Sequence, residues 1–264
     1  MKIIVAIKQV PDTQDVKIDP KTGALLREDV PGIINPEDKN AIEEALRIKE
    51  SRDDVEITAL SMGPHQAEDA LREALAMGVD RAILLSDRAF AGADTLATSY
   101  VLSIAIKKIK KYDLILCGRQ AIDGETGQVG PQLAEALGLP QATFVEEIRI
   151  HGRRVTVRSN FDRVIRVIEM KMPALLTVSR PVNIPRLKTM NGVERAFRDK
   201  EIILWTRKDL KPNPLRIGIN GSPTYVRKTF APSHSRDGIV IEKQSTEAAK
   251  DILDYLLEKS LLRF

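Results

Sequence analysis

The chain has 264 residues, 43% of them hydrophobic, which is enough to bury a sizeable core. Aromatics make up only 4%, and 41 basic residues against 37 acidic ones leave a net charge of +4. This mixed surface argues against a polybasic or aromatic nucleic-acid interface, and one cysteine excludes an internal disulfide framework or a thiolate metal cluster.

The first element, KIIVAI (Lys2–Ile7), is a continuous apolar run rich in β-branched residues, the pattern of a strand covered on both faces. This run is too short for a signal peptide or a membrane span, so a cytoplasmic protein is expected. Within the polar connection that follows, VKIDPKTGALL suggests a small hairpin turning over residues 19–23. NPEDKNAIEEALRIKE then carries a helix start signal, with Asn35 as N-cap, Pro36 at the first helical position and acids in the first turn.

VEITALS is the second strand, and PHQAEDALREALAMG is a helix with apolar residues at helical spacing, closed by Gly78. RAILLS is the third strand. ADTLATSYVLSIAIKKIKK is the third helix, capped by Asp94 and ending in lysines that suit its C-terminal dipole. YDLILCG and GPQLAEALG form the fourth strand and helix.

Four strand–helix alternations predict a mostly parallel α/β sheet with helices on both faces, Rossmann-like in its order of elements. Right-handed crossovers gather the loops after Ile7, Leu60, Ser86 and Leu116 at one edge, where such sheets bind ligands. From about Ala142 the rhythm changes to strands separated by a turn at His151-Gly152, read as an antiparallel addition. Residues 181–264 read as an extended C-terminal arm on a nucleotide-binding domain spanning 1–180. SRPVNIPRLKTMNGVERAFRDKEI is loop-like, LKPNPLRIGINGSP irregular, and STEAAKDILDYLLEKSLL an amphipathic helix.

The stretch that carries chemistry is CGRQAIDGETGQVGP, from Cys117 to Pro131, at a strand-to-helix turn. Gly124, Gly127 and Gly130 permit close backbone approach and unusual dihedrals. Thr126 and Gln128 offer side-chain hydrogen bonds, and the opening amides of the next helix favour phosphate. The spacing is neither the dinucleotide GxGxxG nor GxxxxGK[ST], and a ligand-free turn is the plain alternative. His65, His151 and His234 are scattered and form no metal site, and Cys117 reads as a small buried residue. No catalytic residue is assigned, so any chemistry belongs to a bound cofactor.

In combination, VAIKQVPDT, NPEDKNAIEEALRIKE, SMGP, ALAMGVDRAILLSD, GADTLATS, LILCGRQAIDGETGQVGPQLAEALGLP and KMPALLTV resemble the β subunit of electron transfer flavoprotein. The resemblance runs from the first strand to about residue 200. It departs at FDRVIRVIE, which lacks the family's acid-glycine run and has Arg166 where an acid is usual.

The resemblance implies a heterodimer in which the α subunit carries an electron-transferring FAD. The β subunit then binds AMP or, in electron-bifurcating members, a second FAD that meets NADH. GETGQVGP resembles the bifurcating branch, so FAD is the expected cofactor and AMP the alternative. Implied binding positions are Ala6, Asn35, Asp38, Met62, Asp94, Thr95, Gln120, Ala121, Ile122, Asp123, Gly124, Glu125, Thr126, Gly127, Gln128, Val129 and Gly130. Arg119 is read either as a charge favouring an anionic reduced flavin or as a surface ion pair.

Implied docking positions for a dehydrogenase partner are Pro185, Arg186, Leu187, Lys188, Thr189 and Met190, with Met190 the anchor. That partner would resemble acyl-CoA dehydrogenase or flavin-dependent lactate dehydrogenase, and the low-potential acceptor would be ferredoxin or flavodoxin. Outside the family, two classes share the topology. A stress-protein-type nucleotide sensor would leave the arm unexplained. An adenylating or pyrophosphatase enzyme would need a Gly/Ser-rich loop where KQVPDTQDVK stands.

Overall fold

The computed structural model describes residues 1–12, 31–227 and 238–262. The hairpin expected over residues 16–26 and the stretch around His234 lie outside these residues. The chain divides into a larger unit, 1–228, and a short C-terminal unit, 229–264.

In the larger unit β1 (Lys2–Ala6), β4 (Glu56–Met62), β5 (Arg81–Leu85) and β6 (Leu114–Gly118) alternate with α1 (Pro36–Glu50), α2 (Glu68–Met77), α3 (Thr95–Ile109) and α4 (Val129–Leu137). A two-stranded ribbon, β2 (Gln9–Pro11) with β3 (Gly32–Ile34), lies between β1 and α1 in the chain. β7 (Gln141–His151), β8 (Arg154–Phe161), β9 (Val164–Lys171) and β10 (Ala174–Val178) follow. α5 (Met190–Arg198), β11 (Ile202–Trp205) and α6 (Arg207–Leu210) complete this unit, and α7 (Ser245–Glu258) belongs to the C-terminal one.

The main sheet has nine strands in the order β11-β5-β4-β1-β6-β10-β7-β8-β9. All its pairings are parallel except β7–β8 and β8–β9. From β1 the chain steps outward to β4 and β5, then returns to place β6 on the other side of β1. The strand order therefore reverses between β1 and β6, which opens a crevice at their carboxyl ends.

Alternation along β1 sorts the core into two layers. Ile3 and Val5 pack with Ala41, Ala45, Leu71 and Ala74 from α1 and α2. Ile4 and Ala6 pack with Val101, Ala105, Leu133 and Ala134 from α3 and α4. Each fully buried Ile or Leu contributes about 1.5–3 kcal/mol. The small residues of the helices let them lie close to the sheet.

Three stretches differ from the reading of the sequence. The antiparallel addition is confined to β7–β8–β9, because MPALLTV supplies β10, which lies between β6 and β7 and runs parallel to both. All five of its residues are buried, and a strand covered on both faces belongs inside a parallel sheet. The loop-like stretch after Ser179 contains α5, whose N-cap Thr189 accepts a hydrogen bond from the Gly192 amide (3.0 Å). Met-Asn-Gly reads as a turn. The helix depends on contact with α2, where a Cβ on Gly192 would stand 2.2 Å from the Ala76 carbonyl oxygen. Finally, β11 lies at one end of the main sheet, beside β5.

Gly130 shows how closely α4 lies on the sheet. A Cβ there would stand 2.4 Å from Thr177 Cγ2 and 3.2 Å from Cys117 Sγ. Gly130→Ala should therefore destabilise the protein by about 1–3 kcal/mol, the usual range for overpacking. Adding Thr177→Ser, which removes the opposing methyl, should recover much of the loss. Urea unfolding of both single variants and the double variant measures the coupling.

Candidate functional site

The crevice is organised by the first turn of α1. Pro36 occupies the first helical position, and Asn35 precedes it as expected, but the Asn35 side chain does not cap the helix. It reaches the loop after β6, where Nδ2 donates to the Gln120 carbonyl (2.9 Å) and Oδ1 accepts from the Ile122 amide (3.1 Å). Glu37 accepts from the Gln120 amide (3.0 Å) and pairs with the Arg119 guanidinium (3.3 Å). Asp38 accepts from the Lys8 amide (2.8 Å) and the Gly118 amide (2.9 Å).

Asn35, Glu37 and Asp38 are all buried. Burial pushes the Asp38 carboxyl up to about 7, against the downward pull of the Lys8 and Gly118 amides and the Asn35 side chain; Glu37 adds to the rise.

Held from below in this way, residues 119–128 form the wall of the crevice. The Glu125 amide donates to the Ala121 carbonyl (2.8 Å), and Glu125 and Gly127 both adopt left-handed dihedrals (φ 48° and 63°). Gly127 thus meets a conformation that favours glycine. A Cβ on Gly124 would meet nothing within 4 Å, so this wall faces open space. Gly130 differs from the expectation that all three glycines serve approach to a ligand, since its close approach is to Thr177 and Cys117.

Lys8 Nζ donates to both Asp123 oxygens at 2.6 and 2.7 Å, linking the loop after β1 to this wall. Thr95 Oγ1 donates to Gln128 Oε1 (2.9 Å), linking α3 to the start of α4.

Ala6 and Met62 end β1 and β4 at the same edge. Asp94 lies there too, but its carboxylate is engaged by the protein. One oxygen accepts from the Leu96 and Ala97 amides (both 3.0 Å), and the other from the amide and hydroxyl of Thr224 (3.1 and 2.9 Å). The start of α3 is therefore capped from within. In the first turn of α4, beside Thr126, Gly127 and Gln128, the Val129 and Gly130 amides lack intrahelical acceptors, Pro131 has no N–H, and the Gln132 amide donates to the Gln128 carbonyl (3.0 Å). These donors and the open space at Gly124 suit the phosphates of a nucleotide. Arg119 is engaged with buried Glu37, and Cys117 is buried, its thiol pushed up by burial and by the charge of Asp38.

Gln120, Ile122 and Glu125 of this loop, with Arg119, Phe144 and Phe161, line a cleft of about 730 Å³. The Phe144 and Phe161 rings are 5.1 Å apart, and the Arg119 guanidinium stands 5.6 Å from the Phe144 ring. Phe144 has φ 56°, a strained conformation for a bulky residue, and no spacing in the sequence signals it. Glu37 likewise has no signal in the sequence beyond its place among the acids of the first turn of α1, whereas Lys8 is marked by standing directly after the apolar run Ile3–Ile7.

Residues 185–190 lie apart from the crevice, on the flank of α1. Arg186 donates to Glu43 from Nε (2.7 Å) and from its own amide (3.1 Å), and Arg186 Nη1 donates to Glu50 (2.5 Å). Burial alone would raise Glu43, but the hydrogen bonds and charge of Arg186, with Arg47, hold it below the usual carboxylate range. Asn183 exchanges hydrogen bonds with Asn40 and donates to Glu44. Leu187 and Met190 project from this anchored segment, 89% and 87% exposed.

A mostly parallel sheet whose strand order reverses between β1 and β6, with helices on both faces, defines a doubly wound α/β protein. Residues 22–210 match the electron transfer flavoprotein domain. The chain is 49% identical to the electron transfer flavoprotein subunit beta of Clostridium acetobutylicum, over 98% of this chain and 99% of that protein. It is 46% identical to the caffeyl-CoA reductase-Etf complex subunit CarD of Acetobacterium woodii, over 99% and 100% of the two chains. Identity to the acryloyl-CoA reductase electron transfer subunit gamma of Anaerotignum propionicum is 41%, over 99% and 100%. The chain belongs to the electron transfer flavoprotein β-subunit family. Among the described residues no helix is long and apolar enough to cross a membrane.

Asn35→Ala should leave the Gln120 carbonyl and the Ile122 amide without their partner, at a cost of about 1–3 kcal/mol. The expected readouts are faster hydrogen exchange at Ile122 and faster limited proteolysis across residues 119–126. Asn35→Asp should lie between the two, since it keeps an acceptor for Ile122 but turns a carboxylate toward the Gln120 carbonyl.

Proposed function

We propose that this chain is the nucleotide-binding β subunit of a heterodimeric electron transfer flavoprotein that oxidises NADH. One share of the electrons passes through the FAD of the α subunit to a dehydrogenase, and the other to ferredoxin or flavodoxin. FAD bound at the crevice supplies the hydride acceptance and one-electron chemistry.

The observation that carries this reading is the 119–128 wall, with open space at Gly124 and a left-handed Gly127. Such a wall suits a ligand extending beyond an adenylate. The α4 amides, Thr126 and Gln128 would hold phosphate. The hydrogen bonds from Asn35, Glu37 and Asp38 would keep the loop in shape without a contribution from the ligand. The remaining task of the chain is to exclude water around the ligand and admit NADH.

The names of two relatives contain CoA-ester reductases, caffeyl-CoA reductase and acryloyl-CoA reductase. This favours an acyl-CoA dehydrogenase-like partner over a lactate dehydrogenase. Exposed Leu187 and Met190 suit insertion into an apolar pocket of such a partner.

Cofactor content is tested on the heterodimer purified without added nucleotide. Two FAD and no AMP per heterodimer are expected, with flavin reduced anaerobically by NADH and coupled reduction of a high- and a low-potential acceptor. One FAD plus one AMP, with no flavin reducible by NADH, would overturn the reading in favour of a β subunit with structural AMP.

Docking is tested separately. Met190→Ala should slow electron delivery to the dehydrogenase about tenfold or more, the effect of losing an interface anchor, while NADH-driven flavin reduction stays unchanged. Arg186→Ala should show the same selectivity, because the segment loses its hold on Glu43. Equal loss in both assays would assign these residues a purely structural role.

A further inference from the structure

Asp38 stands among the implied cofactor contacts, yet both its oxygens are already engaged. Oδ2 accepts from the Lys8 amide and Oδ1 from the Gly118 amide. β1 and β6 are paired as far as Ala6 with Cys117. One residue beyond Cys117 and two beyond Ala6, the strands part to form the crevice, and these two amides meet the carboxylate. Gly118 is shaped to this contact, since a Cβ there would stand 2.5 Å from Asp38 Oδ1 and 2.8 Å from the Glu37 backbone.

We propose that Asp38 is a positioning residue that clasps the loops after β1 and β6 together, and that its ionisation makes nucleotide retention depend on pH. The inference rests on the nucleotide-binding reading of the crevice. An ionised carboxylate accepts from both amides, whereas a protonated one turns an O–H toward one of them and sets donor against donor. An asparagine does the same with its NH₂ group. Losing one of the two bonds loosens the spacing between Lys8, which holds Asp123, and the 119–128 wall.

Among the described residues, the charged and titratable groups that face Asp38 are few. Glu37 lies beside it on α1 and is paired with Arg119 from the loop after β6. The buried Cys117 thiol is on β6, and Lys8 has its ammonium on Asp123. With Asp38 pushed up to about 7 by burial, its ionised fraction falls from roughly nine-tenths at pH 8 to one-tenth at pH 6.

Fold stability moves the other way. The folded value lies above the ordinary 3.8, so between 3.8 and about 7 the folded chain binds more protons than the unfolded one. The Asp38 contribution to stability is then present at low pH and falls as pH rises through that window. Weaker retention accompanied by a more stable fold at pH 6 is a combination that general loosening of the protein does not produce.

The test compares the wild-type heterodimer with Asp38→Asn between pH 6 and 8. FAD is titrated with the α-subunit site already filled, so that the second FAD reports on the crevice, and hydrogen exchange at Lys8 and Gly118 is corrected for intrinsic rates. If protonation costs about tenfold in affinity, the worth of one net hydrogen bond, wild-type FAD affinity should fall about fivefold from pH 8 to 6, with faster exchange at the amide that the O–H faces. Asp38→Asn should bind about tenfold more weakly at pH 8, lack this pH component and exchange the amide facing its NH₂ group as fast at pH 8 as at pH 6.

Wild-type affinity and exchange profiles in Asp38→Asn would overturn the clasp. If the wild type binds no FAD beyond that of the α subunit at any pH, the FAD reading of the crevice fails, and exchange alone decides the clasp. Should the variant not fold, the wild-type exchange profile decides it, with a midpoint near pH 7 in support and a flat profile against.

Discussion

The arrangement of the nucleotide edge depends on one constraint, that backbone amides leaving a parallel sheet must find acceptors. Where β1 and β6 diverge, the ladder no longer supplies them. The first turn of α1 does so instead, with Asp38 beneath Lys8 and Gly118, Glu37 beneath Gln120 and Asn35 beneath Ile122. Buried acceptors of this kind carry a desolvation cost that several converging donors offset. The loop that results takes its shape from α1 and leaves its outer side open.

α1 serves a second region from its flank. The same helix that steadies the 119–122 backbone holds residues 183–186 through Asn40, Glu43 and Glu44. Glu43 and Glu44 are themselves buried, so Arg186, together with Arg47, and Asn183 satisfy acidic groups whose burial is costly. In the function proposed above, the two regions would serve cofactor and partner. Both are built on a helix packed by Ala41, Ile42 and Ala45 against the central strands. Precision at sites of this kind comes from rigid elements that support flexible ones.

The glycines of CGRQAIDGETGQVGP divide by physical cause. Gly127 answers to a left-handed dihedral, Gly130 and Gly118 to close contact with Thr177 and Asp38, and Gly124 to neither, having only space beside it. A spacing of three in the sequence thus hides different requirements, and only the last leaves visible room for a ligand.

Much of the architecture was legible in the chain because it rests on local periodicity. Apolar β-branched runs mark β1, β4, β5 and β6, helical spacing marks α1 to α4, and their alternation implies the parallel sheet and the edge where its loops converge. Motifs spread over most of the chain carried the family as well. Tertiary contact alone decided the rest. Whether MPALLTV joins an antiparallel hairpin or enters between β6 and β7 depends on what covers its two faces. The α5 helix needs α2 behind Gly192, and β11 needs the edge of β5. The Asn35 side chain could cap its own helix or reach Gln120 and Ile122, and Asp38 could face a ligand or two amides. Sequence lists the donors and acceptors, but folding across 80 or more residues of separation chose their partners.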